Sequence, residues 1–269
     1  SFTSQIKCLD EMTLYYVRAY ATNSEGTVYG DQRSFTTGPC PIAFNPDLTY
    51  GMVTDIDGNC YKTIQIGDQI WMAENLRTTR YNDGTPIPNV VGNDDWSNLL
   101  KTTIDPIQGE IYDVIGAYCW YDNDSATYEQ VYGKLYNWGV VNSGKICPLG
   151  WHVSSVVSPY THPENSECIE NEYLGEELME TGSIHWINPY TPCVTNHTGF
   201  TAVPSGMRSN DGTFSELRST AYFYSPDTSG HGPTVFFNKV PHSMYFCSTP
   251  MSCIIFPNAG LSIRCVKDN

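Results

Sequence analysis

Ten cysteines, at positions 8, 40, 60, 119, 147, 168, 193, 247, 253 and 265, constrain this 269-residue chain more than any other feature. Their number is even, they are spread along the whole length, and no Cys-x-x-Cys pair occurs among them. With six histidines in the chain and none at ligand spacing, structural zinc and thioredoxin-type chemistry fit poorly. Disulfides formed in an oxidising compartment fit well. The chain is therefore expected to be extracellular, secreted or at a cell surface, with staples supporting regions where regular structure is thin.

Charge narrows the partners. Charged residues make up 16% of the chain and the formal net charge is -15, so nucleic acid and an anionic membrane surface are disfavoured. Hard divalent cations and neutral glycans stay open as ligands. Hydrophobic residues reach 40%, ample for a packed core, yet no apolar run approaches a membrane span. Ser1 opens in what reads as a strand and not as a signal peptide, as expected for a piece of a longer chain or a processed product.

Residues 1–37 read as strands. Over 13–23 the side chains alternate, with Tyr15, Val17, Ala19 and Ala21 on one face and Leu14, Tyr16, Arg18 and Tyr20 on the other. A turn at Asn23-Ser24-Glu25-Gly26 leads to a second strand over 28–35. Leu9, Thr13, Tyr15, Val17, Ala19 and Asn23 resemble the fibronectin type III pattern L-x-P-x-T-x-Y-x-V-x-A, with Glu11 in place of Pro. Gly26 and Ser34-Phe35-Thr36-Thr37 are similar to the tandem type III modules of Bacteroidota surface proteins. The resemblance implies the last three strands of an all-β sandwich that needs about seven. Tyr15, Val17, Ala19 and Ala21 would then be an inner face without its facing sheet, and a candidate subunit interface.

Residues 38–51 hold three Pro and two Gly and read as a stiff linker. An up-down-up strand order places Cys8 and Cys40 at one pole, which makes a Cys8–Cys40 bridge geometrically sensible. Residues 52–269 form a second domain. A hairpin is expected over 53–66 with Asp57-Gly58 at its turn, followed by an apolar segment over 69–76. Helices are expected near 94–100, with Asp94 as cap, around 128–142, and at 170–180.

This second domain carries seven segments in a fixed order. They are Thr54-Asp55-Ile56-Asp57-Gly58-Asn59, Trp71-Met72-Ala73-Glu74-Asn75-Leu76, Tyr118-Cys119-Trp120-Tyr121-Asp122-Asn123-Asp124 and Tyr132-Gly133-Lys134-Leu135-Tyr136-Asn137-Trp138. Cys147-Pro148-Leu149-Gly150-Trp151-His152-Val153, Gly199-Phe200-Thr201-Ala202-Val203-Pro204 and Ser262-Ile263-Arg264-Cys265-Val266 complete them. Together they closely resemble the Fibrobacter succinogenes major paralogous domain, a family of secreted modules related to the C-type-lectin-like and sulfatase-modifying-factor folds. The resemblance implies a loop-rich C-type-lectin-like α+β domain, core roles for the repeated aromatics, and a Cys147–Cys265 bridge. For the remaining cysteines, proximity favours Cys60–Cys119, Cys168–Cys193 and Cys247–Cys253, although spacing alone leaves the connectivity open. Two departures are local: residues 154–163 read as a loop where the family has a helix, and 236–256 carry the extra Cys247 and Cys253.

Candidate chemistry is sparse. Asp55, Asp57 and Asn59 are spaced like part of a calcium loop, but the closing Glu is missing and a tight hairpin turn would want the same Asp-Gly. Asp94-Asp95 and Asp122-Asn123-Asp124 read as loops or caps. The calcium-lectin tripeptides Glu-Pro-Asn, Gln-Pro-Asp and Trp-Asn-Asp are absent. With every cysteine expected to be bridged, the paired-cysteine chemistry of formylglycine-generating enzymes does not fit. His152 reads as a packed structural residue. Asn123-Asp124-Ser125 and Asn196-His197-Thr198 fit the N-glycosylation sequon, and Asp124-Ser125-Ala126 resembles a Bacteroidota O-glycosylation signal, with Ser125 as acceptor. No phosphate loop or nucleophile elbow occurs.

The chain thus reads as non-catalytic, without a required cofactor. The first expectation is a structural surface protein that self-associates into a homopolymer by strand addition. The alternative is a lectin-like adhesin tip that binds glycans or host or cell-surface proteins, carried on a type III stalk.

Overall fold

A computed structural model describes residues 6–105, 109–154, 177–187, 194–224, 234–238, 244–246 and 257–268. The chain divides into two compact units, Ser1–Pro41 and Ile42–Asn269. The fold is β-rich with few helices.

The first unit is a hairpin in four pieces: β1 (Leu14–Val17), β2 (Tyr20–Asn23), β3 (Gly26–Tyr29) and β4 (Arg33–Thr36). β1 pairs with β4 and β2 with β3, both antiparallel. The single strand expected over 13–23 is interrupted at Arg18-Ala19, and the returning strand at Gly30-Asp31-Gln32. Two residues therefore oppose three, a bulge that shifts the register by one and increases the local twist. At the tip, the Asn23 side chain accepts the N–H groups of Glu25 (2.9 Å) and Gly26 (3.1 Å), which closes the turn.

The second unit begins with β5 (Gly51–Thr54), β6 (Cys60–Ile66), β7 (Gln69–Met72) and a short helix α1 (Asn93–Ser97). Then come β8 (Leu100–Asp105), β9 (Gly109–Val114), β10 (Tyr118–Cys119), α2 (Ser125–Tyr132), β11 (Leu135–Tyr136) and α3 (Trp138–Val141). β12 (Trp151–Val153), β13 (Ser205–Arg208), β14 (Phe214–Leu217), β15 (Thr220–Tyr224), β16 (Thr234–Asn238), β17 (Met244–Phe246) and β18 (Cys265–Lys267) follow. One five-stranded antiparallel sheet has the order β12-β18-β7-β6-β5, and a second has the order β14-β13-β15-β16-β17.

The first sheet is buried on both faces. Along β6 and β7, Tyr61 and Met72 enter one apolar cluster with Leu76, Tyr136 and Ile263, while Ile64, Ile66 and Trp71 enter another with Trp186, Phe200 and Phe223. A third cluster gathers Trp96, Leu99, Ala117, Cys119 and Leu135. Residues 42–50, expected as linker, belong to this unit. Ile42 is buried, and Phe44, Leu48 and Tyr50 pack against the second cluster. Pro46, the one proline there, punctuates a packed segment.

Buried Arg264 ties three of the quoted segments together. Its Nε donates to Asn75 (2.7 Å), Nη1 to the carbonyls of Met72 (3.0 Å) and Phe200 (2.7 Å), and Nη2 to that of Thr201 (3.0 Å). Burial pulls its pKa down to about 9, still high enough to keep the guanidinium charged at neutral pH. Arg208, fully buried between the rings of Trp96 and Phe214, likewise donates to the carbonyls of Val90, Val91 and Gly212. Planar forks that satisfy several carbonyls at once suit loop-rich structure, where backbone acceptors lack ladder partners.

The helices differ from expectation. α1 is capped by Gly92, with Asp94 inside its first turn. The helix expected around 128–142 is two, because Gly133 (φ 70°, ψ -147°) breaks it. A Cβ there would lie 2.8 Å from the Leu76 carbonyl oxygen. The cap side chains are Asp124 for α2 and Asn137 for α3. Residues 177–180 are turn and bridge, not helix. The remainder of the 170–180 expectation and the loop expected from 155 onward lie outside the described residues.

Candidate subunit interface

No described residue among 6–41 is buried. The antiparallel register places Tyr15 opposite Phe35, Val17 opposite Arg33 and Ala21 opposite Val28, so these six side chains share one face. Tyr15 stacks on Phe35 with ring centroids 5.9 Å apart. Val17, Val28 and Phe35 remain 36%, 75% and 38% exposed. On the opposite face Thr22 and Thr27 share a hydroxyl hydrogen bond at 2.8 Å and Arg18 lies 4.1 Å over the Tyr29 ring, while Leu14, Tyr16, Tyr20 and Tyr29 are exposed there as well. Of the expected set, Tyr15, Val17 and Ala21 stand on the apolar face, and Ala19 lies at the interruption, its carbonyl accepting the Gly30 N–H at 2.8 Å. Sequence reading missed Val28 and Phe35, whose facing depends on the bulge.

Burying a Val or Phe side chain is worth about 1.5–3 kcal/mol, so leaving this face wet forgoes several kcal/mol. An isolated two-stranded hairpin is marginal in water. Arg33 is the one formal charge on the face, and it makes no hydrogen bond or ion pair among the described residues. The base of the hairpin is firmly tied. Thr37 donates through Oγ1 to the Asp10 carbonyl (2.6 Å), and the Cys40 N–H donates to the Glu11 carboxylate (2.8 Å).

The Asp55, Asp57 and Asn59 loop is a structural turn. Asp55 Oδ1 accepts the N–H groups of Asp57 (2.9 Å) and Asn59 (2.8 Å), and Oδ2 accepts Asn59 Nδ2 (2.9 Å) and the Tyr61 hydroxyl (2.5 Å). Asp57 accepts the Thr79 N–H (2.5 Å), the hydroxyls of Thr79 (2.7 Å) and Thr78 (3.2 Å), and Arg80 Nε (2.7 Å). A carboxylate has about four lone-pair sites; Asp55 spends all of them on protein donors and Asp57 spends most, so the loop is held as a turn by protein contacts and not by a required cation. The turn is a three-residue loop with Gly58 at φ 73° and Gly58 N–H donating to the Asp55 carbonyl, not the two-residue type expected. Burial pushes the Asp57 carboxyl up, but hydrogen bonds from Thr79 and Arg80 outweigh it and hold the pKa below the usual range.

Cys147 and Cys265, the pair implied by the family resemblance, are bridged with Cα atoms 5.9 Å apart. Cys8 and Cys60 are each disulfide-bonded, but neither Cys8–Cys40 nor Cys60–Cys119 is the pairing formed. Cys119 is a thiol sealed in the third apolar cluster, where burial pushes its pKa up to about 12. Cys168, Cys193, Cys247 and Cys253 lie outside the described residues.

His152 is not packed: half-exposed, its Nδ1 meets Asp268 Oδ1 at 2.5 Å. His185, which carried no sequence signal, is buried against Glu180 (2.7 Å), and Glu180 also accepts the Ala43 N–H at 2.6 Å. Ser125 is the first residue of α2, half-buried behind its Asp124 cap. Asn196 is fully buried and donates to Thr201, so the folded chain does not offer that sequon.

The model of the Fibrobacter succinogenes major domain matches residues 64–267. The chain belongs to this family. No curated protein and no solved structure matches it. Membership, together with the disulfides, points to a surface protein. Among the described residues no helix is long and apolar enough to cross a membrane.

Proposed function

We propose that this chain is an extracellular structural and adhesive surface protein, a subunit of a self-assembling fibre joined by β-strand complementation at the hairpin of residues 14–36. One observation carries the reading: an apolar face of Tyr15, Val17, Ala21, Val28 and Phe35 in a unit with no buried residue among those described. The hydroxyl of Tyr15 accepts the Asp10 N–H, the geometry of the tyrosine corner of immunoglobulin-like sandwiches, which supports the type III reading. A sandwich half of this kind is completed by strands from a neighbour. The second unit, a C-type-lectin-like domain in this reading, is the stapled, non-catalytic body. Electron microscopy and light scattering on the purified chain test the proposal. Filaments are expected, and Val17→Asp is expected to abolish them by burying an unpaired charge at the joint. Unaltered polymerisation of Val17→Asp would count against strand complementation.

A second reading, a glycan- or protein-binding adhesin tip, has its own observation. Tyr121 packs against Tyr128 (5.5 Å) and Phe214 (5.3 Å), and all three rings are partly exposed beside Asp122 and Glu216. Aromatic rings bordered by carboxylates suit stacking against sugars. Glycan-array binding lost in Tyr121→Ala would favour that reading.

A further inference from the structure

Charge is unevenly divided between the two units. Residues 1–41 hold three Lys or Arg against four Asp or Glu, whereas residues 42–269 hold eleven against twenty-five. Nearly all of the chain's net charge of -15 therefore sits on the second unit, and the hairpin is close to neutral. On the hairpin, the lone charge of the apolar face is a cation, Arg33, directly across from Val17 and two residues from Phe35.

Resting on the strand-complementation reading, we propose that the hairpin of one copy joins a second copy head to tail. It docks on a surface of the acidic second unit that brings a carboxylate to Arg33, and it does not dock on the other hairpin. Two hairpins meeting face to face across a two-fold axis would close into a dimer and bury two Arg33 guanidinium groups in one apolar joint. Like charges desolvated together oppose such a joint, and nothing on either face would neutralise them. A heterologous joint between hairpin and acidic body satisfies Arg33 and leaves one unused hairpin and one unused acceptor at the ends. Such a joint propagates without limit. Repulsion between the acidic bodies also disfavours side-by-side pairing, so growth is linear.

Mixing experiments test the direction of the joint. Val17→Asp has a blocked hairpin but an intact acceptor, so a small molar fraction added before assembly should cap wild-type filaments and shorten them several-fold. Arg33→Glu should raise the concentration needed for assembly by tenfold or more. Arg33→Met, which removes the charge and keeps the stem, should also weaken assembly. Thermal midpoints within a degree or two of wild type would show that the second unit of each variant is folded. Self-association that saturates at a dimer, wild-type filaments that keep their length when a fraction of non-polymerising Val17→Asp is mixed in, or filaments that strengthen with Arg33→Met would overturn the head-to-tail joint while leaving strand complementation standing. A wild-type chain that stays monomeric at all concentrations would instead remove the complementation reading itself.

Discussion

The hydroxyl of Tyr15 accepts the backbone N–H of Asp10 at 2.8 Å, five residues back along the chain. This bond fixes the bend that leads into β1, and it holds the Tyr15 ring over Phe35 on the apolar face. The polar end of the side chain is thereby used to position its apolar body. The shape of the proposed joint and its local hydrogen bonding consequently share one residue.

Tyr15→Phe should keep the ring and lose the bond. Removing one such hydrogen bond typically costs about 0.5–1.5 kcal/mol. The expected outcome is a modestly lower denaturant midpoint for assembled material, with no change in the unfolding of the second unit. Tyr15→Ala, which also removes the ring, should prevent assembly. If Tyr15→Phe and Tyr15→Ala behaved alike, the hydroxyl, not the ring, would be dominant.

Arg264 offers a sharper test of what holds the second unit together. Arg264→Lys keeps the charge but cannot reproduce a fork that reaches Asn75, Met72, Phe200 and Thr201 together. Buried acceptors left unsatisfied cost about 1–3 kcal/mol each. Thermal or urea unfolding should show a loss of several kcal/mol for Arg264→Lys and a comparable loss for Arg264→Met. A near-neutral Arg264→Lys would mean that charge alone suffices.

What was legible in the sequence was local. The Asp57-Gly58 hairpin and the alternation of Tyr15 with Val17 depend on residues close in the chain. Arg264 was legible only as part of a quoted segment, because its partners lie 63 to 192 residues away. Val28 and Phe35 were missed for a different reason. The bulge opposite Arg18-Ala19 resets the parity of the returning strand, and simple alternation cannot show a one-residue offset. Asp55 and Asp57 resemble a calcium loop in spacing, yet the Asp57 donors at Thr79 and Arg80 come from beyond the hairpin. His185 with Glu180 had no signal at all, since a single buried pair has neither period nor motif.

Cys119 should be inert in the native chain. A thiol whose pKa is pushed up to about 12 by burial carries almost no thiolate near neutral pH, and alkylation requires thiolate. Iodoacetamide at mildly alkaline pH should leave residue 119 unmodified until denaturant is added, and then label it without prior reduction. Peptide mass spectrometry reads both states. Rapid native labelling, or recovery of Cys119 in a disulfide-linked peptide, would contradict the buried thiol.

Asp57 gives the second unit a specific acid sensitivity. Its carboxyl is held below the usual range, and an unfolded Asp titrates near about 3.9. A depressed folded pKa means that the unfolded chain takes up the proton first. The stabilisation is therefore complete above the unfolded pKa and is lost as pH falls through the folded one. Asp57→Asn removes the charge and places an amide where Thr79 and Arg80 both donate. It should cost about 1–3 kcal/mol at neutral pH, the range for losing charge-assisted hydrogen bonds. The difference from wild type should begin to shrink as pH falls below the unfolded pKa near about 3.9 and should close only as pH passes the lower folded pKa. Unfolding midpoints measured for both chains from neutral pH down to acid would trace this convergence. A gap that stays constant through the acid range would show that Asp57 acts through its shape and not through its charge.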